Sequence, residues 1–136
     1  MANLIYKNSD GYYPNGEWQV YKYYAAMAGE RVLTSASEDR KFDVFATKNA
    51  QTIKILAGTR TIQASYDITV NGLDAAGLPK DGEVKVQSYR FDWAGPEGKV
   101  GDPIDVGLKT YSSSSNAVRS HPELTLLMFI RLFGVD

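Results

Sequence analysis

The sequence predicts a mainly β domain, an antiparallel two-sheet β-sandwich with one N-terminal α-helix. Helical spacing of apolar residues is confined to one long segment near the N-terminus. After that segment, apolar and polar residues alternate in six or seven short runs separated by turn-forming residues. Such strands are typical of two packed antiparallel sheets. We therefore expect residues 1–136 to form a single domain, with a lead and helix over 1–29 and strands over 30–136.

The predicted helix covers residues 16–28. Its apolar residues recur at positions i, i+3, i+7 and i+10, namely Trp18, Tyr21, Ala25 and Ala28. Asn15 is a typical N-cap, and Gly29 is typical of the left-handed residue that follows a helix. Gln19 and Lys22 mark a narrow polar stripe, so most of the circumference is apolar. We expect a helix of this kind to be covered on more than one side.

The predicted strands follow from alternation of apolar and polar residues. In chain order they cover residues 4–6, 31–36, 42–47, 52–57, 61–70, 83–91 and 104–110. The third and fourth strands form a hairpin across a short polar loop. Residues 73–82 and 92–103 are rich in turn formers and read as loops. In the tail 112–136, residues 112–123 show no period, and the apolar run 124–133 fits either a buried final strand or a short helix.

Length and composition exclude several classes of protein. A chain of 136 residues can bury a core without disulfides or metals, and it contains no cysteine. The net charge of -1, with no long run of Lys or Arg, argues against a nucleic-acid partner. The N-terminus lacks the apolar segment of a signal peptide. The longest apolar run, about ten residues with Arg131 inside it, is too short to span a bilayer, so we expect no membrane partner.

The sequence offers no catalytic constellation. His121 is the single histidine, and no spacing of carboxylates around it suggests a metal site. The chain contains neither a glycine-rich phosphate loop nor a Gly-x-Ser-x-Gly motif. Its Asp and Glu residues fall mostly in turns or on the polar sides of strands, where nothing predicts the burial that raises the pKa of a catalytic acid. We therefore expect no enzyme activity, no metal and no cofactor.

Aromatic residues are concentrated before and within the predicted helix. Seven rings occur within nineteen residues: Tyr6, Tyr12, Tyr13, Trp18, Tyr21, Tyr23 and Tyr24. Flat rings with a polar group suit stacking on sugar faces, and they equally suit a helix packed against a sheet. Both interpretations stay open. The candidate carbohydrate-binding residues are Tyr12, Tyr13, Trp18 and Trp93, the last because it lies in a loop rich in Gly and Pro.

Three segments carry a resemblance to a known family. They are residues 11–32 (GYYPNGEWQVYKYYAAMAGERV), 43–47 (DVFAT) and 53–58 (IKILAG). Together they resemble the C-terminal end of fungal clan A glycoside hydrolases of the family 39-like kind, where the last helix of the (β/α)8 barrel leads into a β-sandwich. The resemblance covers about residues 11–110. Residues 120–133 depart from the alternating strand that usually closes such a sandwich.

The resemblance implies an accessory role and an extracellular location. The catalytic glutamates of those enzymes lie at barrel strands, and no position here corresponds to them. One hypothesis is therefore a non-catalytic β-sandwich that supports a glycosidase barrel or binds carbohydrate in the manner of a lectin. The other is a secreted fungal interaction protein, such as an effector, elicitor or immunomodulator, that forms homo-oligomers through an exposed helix face.

Overall fold

The computed structural model describes residues 3–59, 64–121 and 127–134. Its strands in chain order are β1 (Ile5–Asn8), β2 (Gly11–Pro14), β3 (Glu30–Val32), β4 (Phe42–Asn49), β5 (Thr52–Thr59), β6 (Ile68–Asn71), β7 (Gly82–Arg90), β8 (Ile104–Ser113), β9 (Ala117–Ser120) and β10 (Leu127–Gly134). The helix α1 (Gly16–Ala25) and a 3₁₀ helix (Leu73–Ala76) complete the described elements. The predicted mainly β fold with one N-terminal helix is confirmed.

The strands form one large sheet and two small ones. The large sheet has six strands in the order β3-β4-β5-β10-β7-β8, and every neighbouring pair is antiparallel. A second sheet consists of β6 and β9, and a hairpin of β1 and β2 precedes the helix. The β10 strand therefore joins two hairpins, β4-β5 and β7-β8, into one sheet.

Each face of the large sheet carries a hydrophobic cluster. Because side chains alternate along a strand, Ile53 and Ile55 of β5 face one side while Leu56 faces the other. The first side packs against β6, β9 and the 3₁₀ helix in the main core. The second side packs against α1, where Met27 and Phe91 are the buried centre. The molecule is thus a two-sheet sandwich with a helix on the outer face of the larger sheet.

The helix begins at the predicted residue but ends at Ala25, three residues before the predicted end. Leaving the helix early lets Met27 reach the cluster around Phe91. Gly29 does not terminate the helix. Its φ is +124°, and a Cβ at this position would lie 2.4 Å from the carbonyl oxygen of Lys48. Glycine is needed there because β3 starts in close contact with β4.

The face of α1 that packs on the sheet is not the face that apolar spacing predicted. Gly16 and Gln19 are buried, and Tyr23 makes an edge-to-face contact with Phe91 at a ring-centroid distance of 5.3 Å. The prediction of Gln19 on a polar stripe is therefore wrong; its side-chain nitrogen donates to the carbonyl of Val100 at 3.4 Å. Loop 92–103 supplies this acceptor, so a polar side chain can be buried on the helix.

Two predicted strands are shorter than expected. The strand predicted over 31–36 is restricted to β3, because its chain diverges from β4 after Val32. Of the strand predicted over 61–70, only the part from Ile68 belongs to β6, while residues 60–63 lie outside the described residues. Alternation of apolar and polar residues predicts a strand with one face toward the core and the other toward solvent. It does not reveal where the partner strand ends.

The absence of regular structure expected over residues 112–123 is wrong for the described part up to Ser120. The β8 strand continues to Ser113, and β9 pairs with β6 after a tight turn. Ser115 and Asn116 form that turn with φ values of 52° and 62°. Two consecutive positive φ values are the conformation that joins antiparallel strands with a favourable twist. In the run 124–133 the strand interpretation is confirmed for β10, while residues 122–126 lie outside the described residues.

Candidate functional site

The aromatic region around the start of α1 is organised by one buried side chain, Asn15. Its Oδ1 accepts a hydrogen bond from the backbone nitrogen of Trp18 at 3.0 Å, which confirms the predicted N-cap. Its Nδ2 also donates to the carbonyls of Asn3 at 3.1 Å and Pro96 at 2.8 Å. Asn15 is 1% exposed. It therefore ties the N-terminal segment and loop 92–103 to the helix start, a role that the sequence did not indicate.

Tyr12 and Tyr13 project from opposite faces of the β1-β2 hairpin, since they are adjacent in a strand. Tyr13 stacks on Tyr6 with ring centroids 6.3 Å apart, and its hydroxyl donates to the carbonyl of Glu97 at 2.9 Å. Tyr12 is 77% exposed, with the Lys7 ammonium 5.4 Å from its ring centroid. Tyr13 thus holds a loop in place, and Tyr12 alone presents its ring broadly to solvent.

Trp18 and Trp93 lie on different sides of the helix start. The Trp93 ring packs beside Gly16, where a Cβ would lie 3.0 Å from Cε3, and the side chain is 47% exposed. Trp18, half-buried, has the Lys22 ammonium 5.4 Å from its ring centroid. Residues two positions apart on a helix point about 200° apart. The four candidate residues therefore do not form one flat platform, and carbohydrate binding by them stays a prediction.

A second aromatic surface lies on the exposed side of α1. Tyr21 is 60% exposed and Tyr24 is 48% exposed, although Tyr24 also contacts Phe45 with ring centroids 4.9 Å apart. Ala25 on the same side is exposed. We call this surface, formed by Tyr21, Tyr24 and Ala25, the outer helix face. Of the residues with the predicted helical spacing, it includes Tyr21 and Ala25, which the sheet leaves exposed.

A cleft of about 580 Å³ opens between the two sheets, and sequence analysis did not find it. Its floor is formed by alternate residues of β4 and β5, namely Phe42, Val44, Ala46, Lys48, Ile53 and Ile55. Its two walls are the continuous segments 30–37 and 66–72. We call it the inter-sheet cleft. It lies within the volume range of about 300–1,000 Å³ that is usual for binding pockets.

Ionic contacts lie at the rim of the second sheet. Asp67 pairs with Arg119 and with Nδ1 of His121. The hydrogen bond from Arg119 is the largest cause of the lowered pKa of Asp67. Partial burial opposes it, and the hydrogen bond with His121 lowers this pKa further. All of these side chains are exposed. His121 therefore serves as a hydrogen-bond partner of Asp67 in the structure, and the cluster lacks the burial of an acid-base site.

The lowered pKa values of three aspartates determine how we expect stability to depend on pH. The pKa values of Asp39, Asp67 and Asp74 all lie below the usual 3.8 in the folded chain. Hydrogen bonds from Ser37 and from Asn116 are the largest causes for Asp39 and Asp74, respectively. A carboxyl whose folded pKa is depressed stabilises the fold above the unfolded pKa and loses that contribution as pH falls through the folded pKa.

We therefore expect the free energy of unfolding, measured by urea titration, to decrease as pH falls below about 3.8. The variant Asp67→Asn removes one of the three carboxyl groups that contribute to this pH dependence. This variant is expected to be less stable than the wild type at pH 7 and to lose less stability between pH 4 and pH 2. An identical acid loss in both proteins would contradict the assignment.

The described residues contain no group of three or more His, Cys, Asp or Glu side chains that could hold a metal ion. In the same part of the chain, no helix combines the length and apolar character needed to cross a membrane.

Comparison with known proteins gives matches at the level of fold. No family model matches the chain, and no curated protein matches its sequence. Among solved structures, N2152 from Neocallimastix frontalis superposes with a TM-score of 0.71 at 20% identity, over 89% of this chain and 30% of that one. A glucosidase from Croceicoccus marinus gives a TM-score of 0.58 at 15% identity, over 96% and 33% of the two chains.

An arabinose-bound α-L-arabinofuranosidase, MgGH51, gives a TM-score of 0.53 at 10% identity, over 97% of this chain and 22% of that one. The chain therefore spans a third or less of the length of these three proteins. Identities this low show a shared fold. The structural neighbours include glycoside hydrolases, while the resemblance to the family 39-like enzymes stays a prediction.

Proposed function

We propose that this chain is a non-catalytic β-sandwich module of a glycoside hydrolase, and that the outer helix face packs against the catalytic domain. The observation that carries the proposal is the exposure of Tyr21 (60%) and Tyr24 (48%) on a helix whose other side is buried. Exposed aromatic side chains grouped on one face are typical of interaction surfaces. A catalytic domain in the same polypeptide would cover them, and the module would be extracellular with its enzyme.

The exposure of the carboxylates in the described part of the chain supports a non-catalytic role. Glycoside hydrolysis generally needs a pair of carboxyl groups, one of which has a raised pKa. Among the described residues every Asp is exposed, and Glu17 is the one half-buried Glu. Glu17 lies in the first turn of α1, where a negative charge stabilises the helix. We accordingly assign catalysis to the proposed partner domain.

Expression of the module alone and within its longer polypeptide tests the outer helix face. We expect Tyr21→Lys to leave the melting temperature of the isolated 136-residue chain nearly unchanged, because Tyr21 is exposed there. In the full-length protein the same change should lower the melting temperature by several degrees, because it buries an unpaired charge. Leu33→Lys, at a residue 97% exposed in the loop after β3, is the matched control.

Equal effects of Tyr21→Lys in both proteins would contradict the packing of α1 on a partner domain. A transcript that encodes this chain without a catalytic domain would contradict the proposal that the chain is a module of a glycoside hydrolase. In that case the outer helix face would favour the interaction-protein hypothesis. Light scattering at increasing concentration would then show self-association that Tyr21→Lys abolishes.

Carbohydrate binding is a second candidate function, favoured by the exposed rings of Tyr12 and Trp93. Exposed aromatic rings provide the flat apolar surface on which a sugar stacks. Calorimetric titration of the isolated chain with xylan, arabinan and cellulose fragments tests it. We expect any binding to be lost in Trp93→Ala and kept in Leu33→Ala. Absence of binding to all three glycans would leave the structural role alone.

A further inference from the structure

The residues that line the inter-sheet cleft indicate a space suited to one additional β-strand. A strand that presents one of its faces to a cavity contributes only alternate residues, as β4 and β5 do along the floor. The walls behave differently, because eight consecutive residues, 30–37, line one side and seven consecutive residues, 66–72, line the other. Consecutive lining residues indicate that these segments turn their backbone edges toward the cleft.

Each wall has an unpaired stretch within the described part of the chain, namely the edge of β6 away from β9 and residues 33–36. On its other side β6 pairs with β9, and together they form a two-stranded sheet. After Val32 the chain separates from β4, and no described backbone hydrogen bond joins residues 33–36 to β4. The Val44 amide of β4 accordingly donates to its neighbour's carboxylate, Asp43 Oδ1, at 2.9 Å. Unpaired edges of this kind are templates for strand addition.

The floor of the cleft is apolar, and Val44 is the apolar part of it that stays accessible to such a strand. Val44 is half-buried, while Ala46, Ile53 and Ile55 are buried members of the main core. The second sheet, with two strands, is far narrower than the six-stranded sheet it covers. Two-stranded sheets are marginally stable by themselves and gain stability from further strands. The wall 66–72 corresponds to an extended segment of about seven residues, or roughly 23 Å.

We propose that the inter-sheet cleft binds an extended peptide segment that pairs with the free edge of β6 and directs every second, apolar side chain onto the floor. We assign this segment to the same longer polypeptide as the catalytic domain, so the source rests on the proposed function. The matched structures, of which this chain covers 22–33%, contain the additional chain length that such a segment requires. Main-chain hydrogen bonds provide the affinity, and alternate side chains provide the specificity.

Peptide binding to the 136-residue chain tests the inference. The probe is a fluorescent peptide of seven alternating threonine and valine residues with a lysine at each end. The control peptide has the same sequence with alternate backbone amides N-methylated, which removes hydrogen-bond donors from one edge. Fluorescence anisotropy is expected to show saturable binding of the probe. The N-methylated peptide should bind at least about tenfold more weakly, because the loss of one or two net hydrogen bonds raises the dissociation constant about tenfold.

Two protein variants locate the binding. Val44→Lys places a charge on the floor and should abolish binding, whereas Thr110→Lys, at an exposed position of β8 outside the cleft, should preserve it. Circular dichroism checks that both variants fold. Hydrogen exchange should show that the peptide slows exchange of the amides on the free edge of β6. The N-methylated peptide tests the same edge without any change to the protein.

Equal binding of both peptides, or no binding of either, would overturn the proposed strand addition. Protection of the β6 amides that rises with protein concentration in the absence of peptide would overturn the assigned source, because a second copy would then occupy the cleft. The outcome of the peptide-binding test can be distinguished from the outcome of the Tyr21→Lys test of the outer helix face. Tyr21→Lys alters the opposite side of the large sheet and leaves the cleft intact.

Discussion

Replacing Asn15 by alanine is expected to lower the free energy of unfolding by about 3 kcal/mol. Loss of the N-cap at Trp18 costs about 1 kcal/mol. The carbonyls of Asn3 and Pro96 would each lose a buried donor, at about 1 kcal/mol apiece. Asn15 is 1% exposed, so water does not readily replace the missing amide. Urea unfolding followed by tryptophan fluorescence measures the effect.

Asn15→Asp separates the two contributions. An aspartate retains an oxygen that caps the helix but lacks the NH₂ group that reaches Asn3 and Pro96. We expect it to be destabilised nearly as much as Asn15→Ala, because it also buries a charge against carbonyl oxygens. Asn49→Ala, at an exposed position at the end of β4, is the control and should change stability by less than about 0.5 kcal/mol. A mild Asn15→Asp would contradict the role of the amide donors.

Leu73→Ala is expected to cost about 3 kcal/mol of unfolding free energy. Leu73 is 0% exposed and belongs to the main core beneath the second sheet. Truncation to alanine removes the burial of three carbons and leaves a cavity that the surrounding strands fill only partly. Leu33→Ala is a matched control, since Leu33 is 97% exposed. Its expected change is within about 0.5 kcal/mol.

Thermal and urea unfolding should agree for the leucine pair if unfolding is two-state. The difference between Leu73→Ala and Leu33→Ala then measures burial at the 3₁₀ helix, since both lose the same atoms. Equal costs for the two variants would contradict the packing of residues 73–76 into the main core. The comparison also tests a part of the chain that the sequence analysis assigned to a loop.

The long alternating runs predicted the central sheet well because local periodicity determines which residues face a core. The β4-β5 hairpin, the separate strands β7 and β8, and the start of α1 at its Asn15 cap follow from such local signals. The pairing of β6 with β9 could not be predicted in the same way. Fifty-two positions separate Ile68 from its partner Ser120, and the serine-rich β8-β9 turn conceals the strand pattern.

The candidate site was predicted only in part. Aromatic clustering correctly drew attention to the start of α1, but the alternation of a strand already places Tyr12 and Tyr13 on opposite faces. No local signal could identify the second role of Asn15, because its acceptors at Asn3 and Pro96 depend on how distant loops pack. The inter-sheet cleft likewise depends on where residues 33–36 leave β4, which is a property of the tertiary structure.

The position of β10 has a consequence for biosynthesis. This strand lies between β5 and β7, yet the ribosome makes it after both. Until β10 emerges, the nascent chain can form the β4-β5 and β7-β8 hairpins only as separate halves with bare edges. Non-local strand pairings of this kind form slowly and leave aggregation-prone intermediates. We therefore expect assembly of the large sheet to wait until β10 has emerged from the ribosome and to benefit from chaperones that shield the two halves.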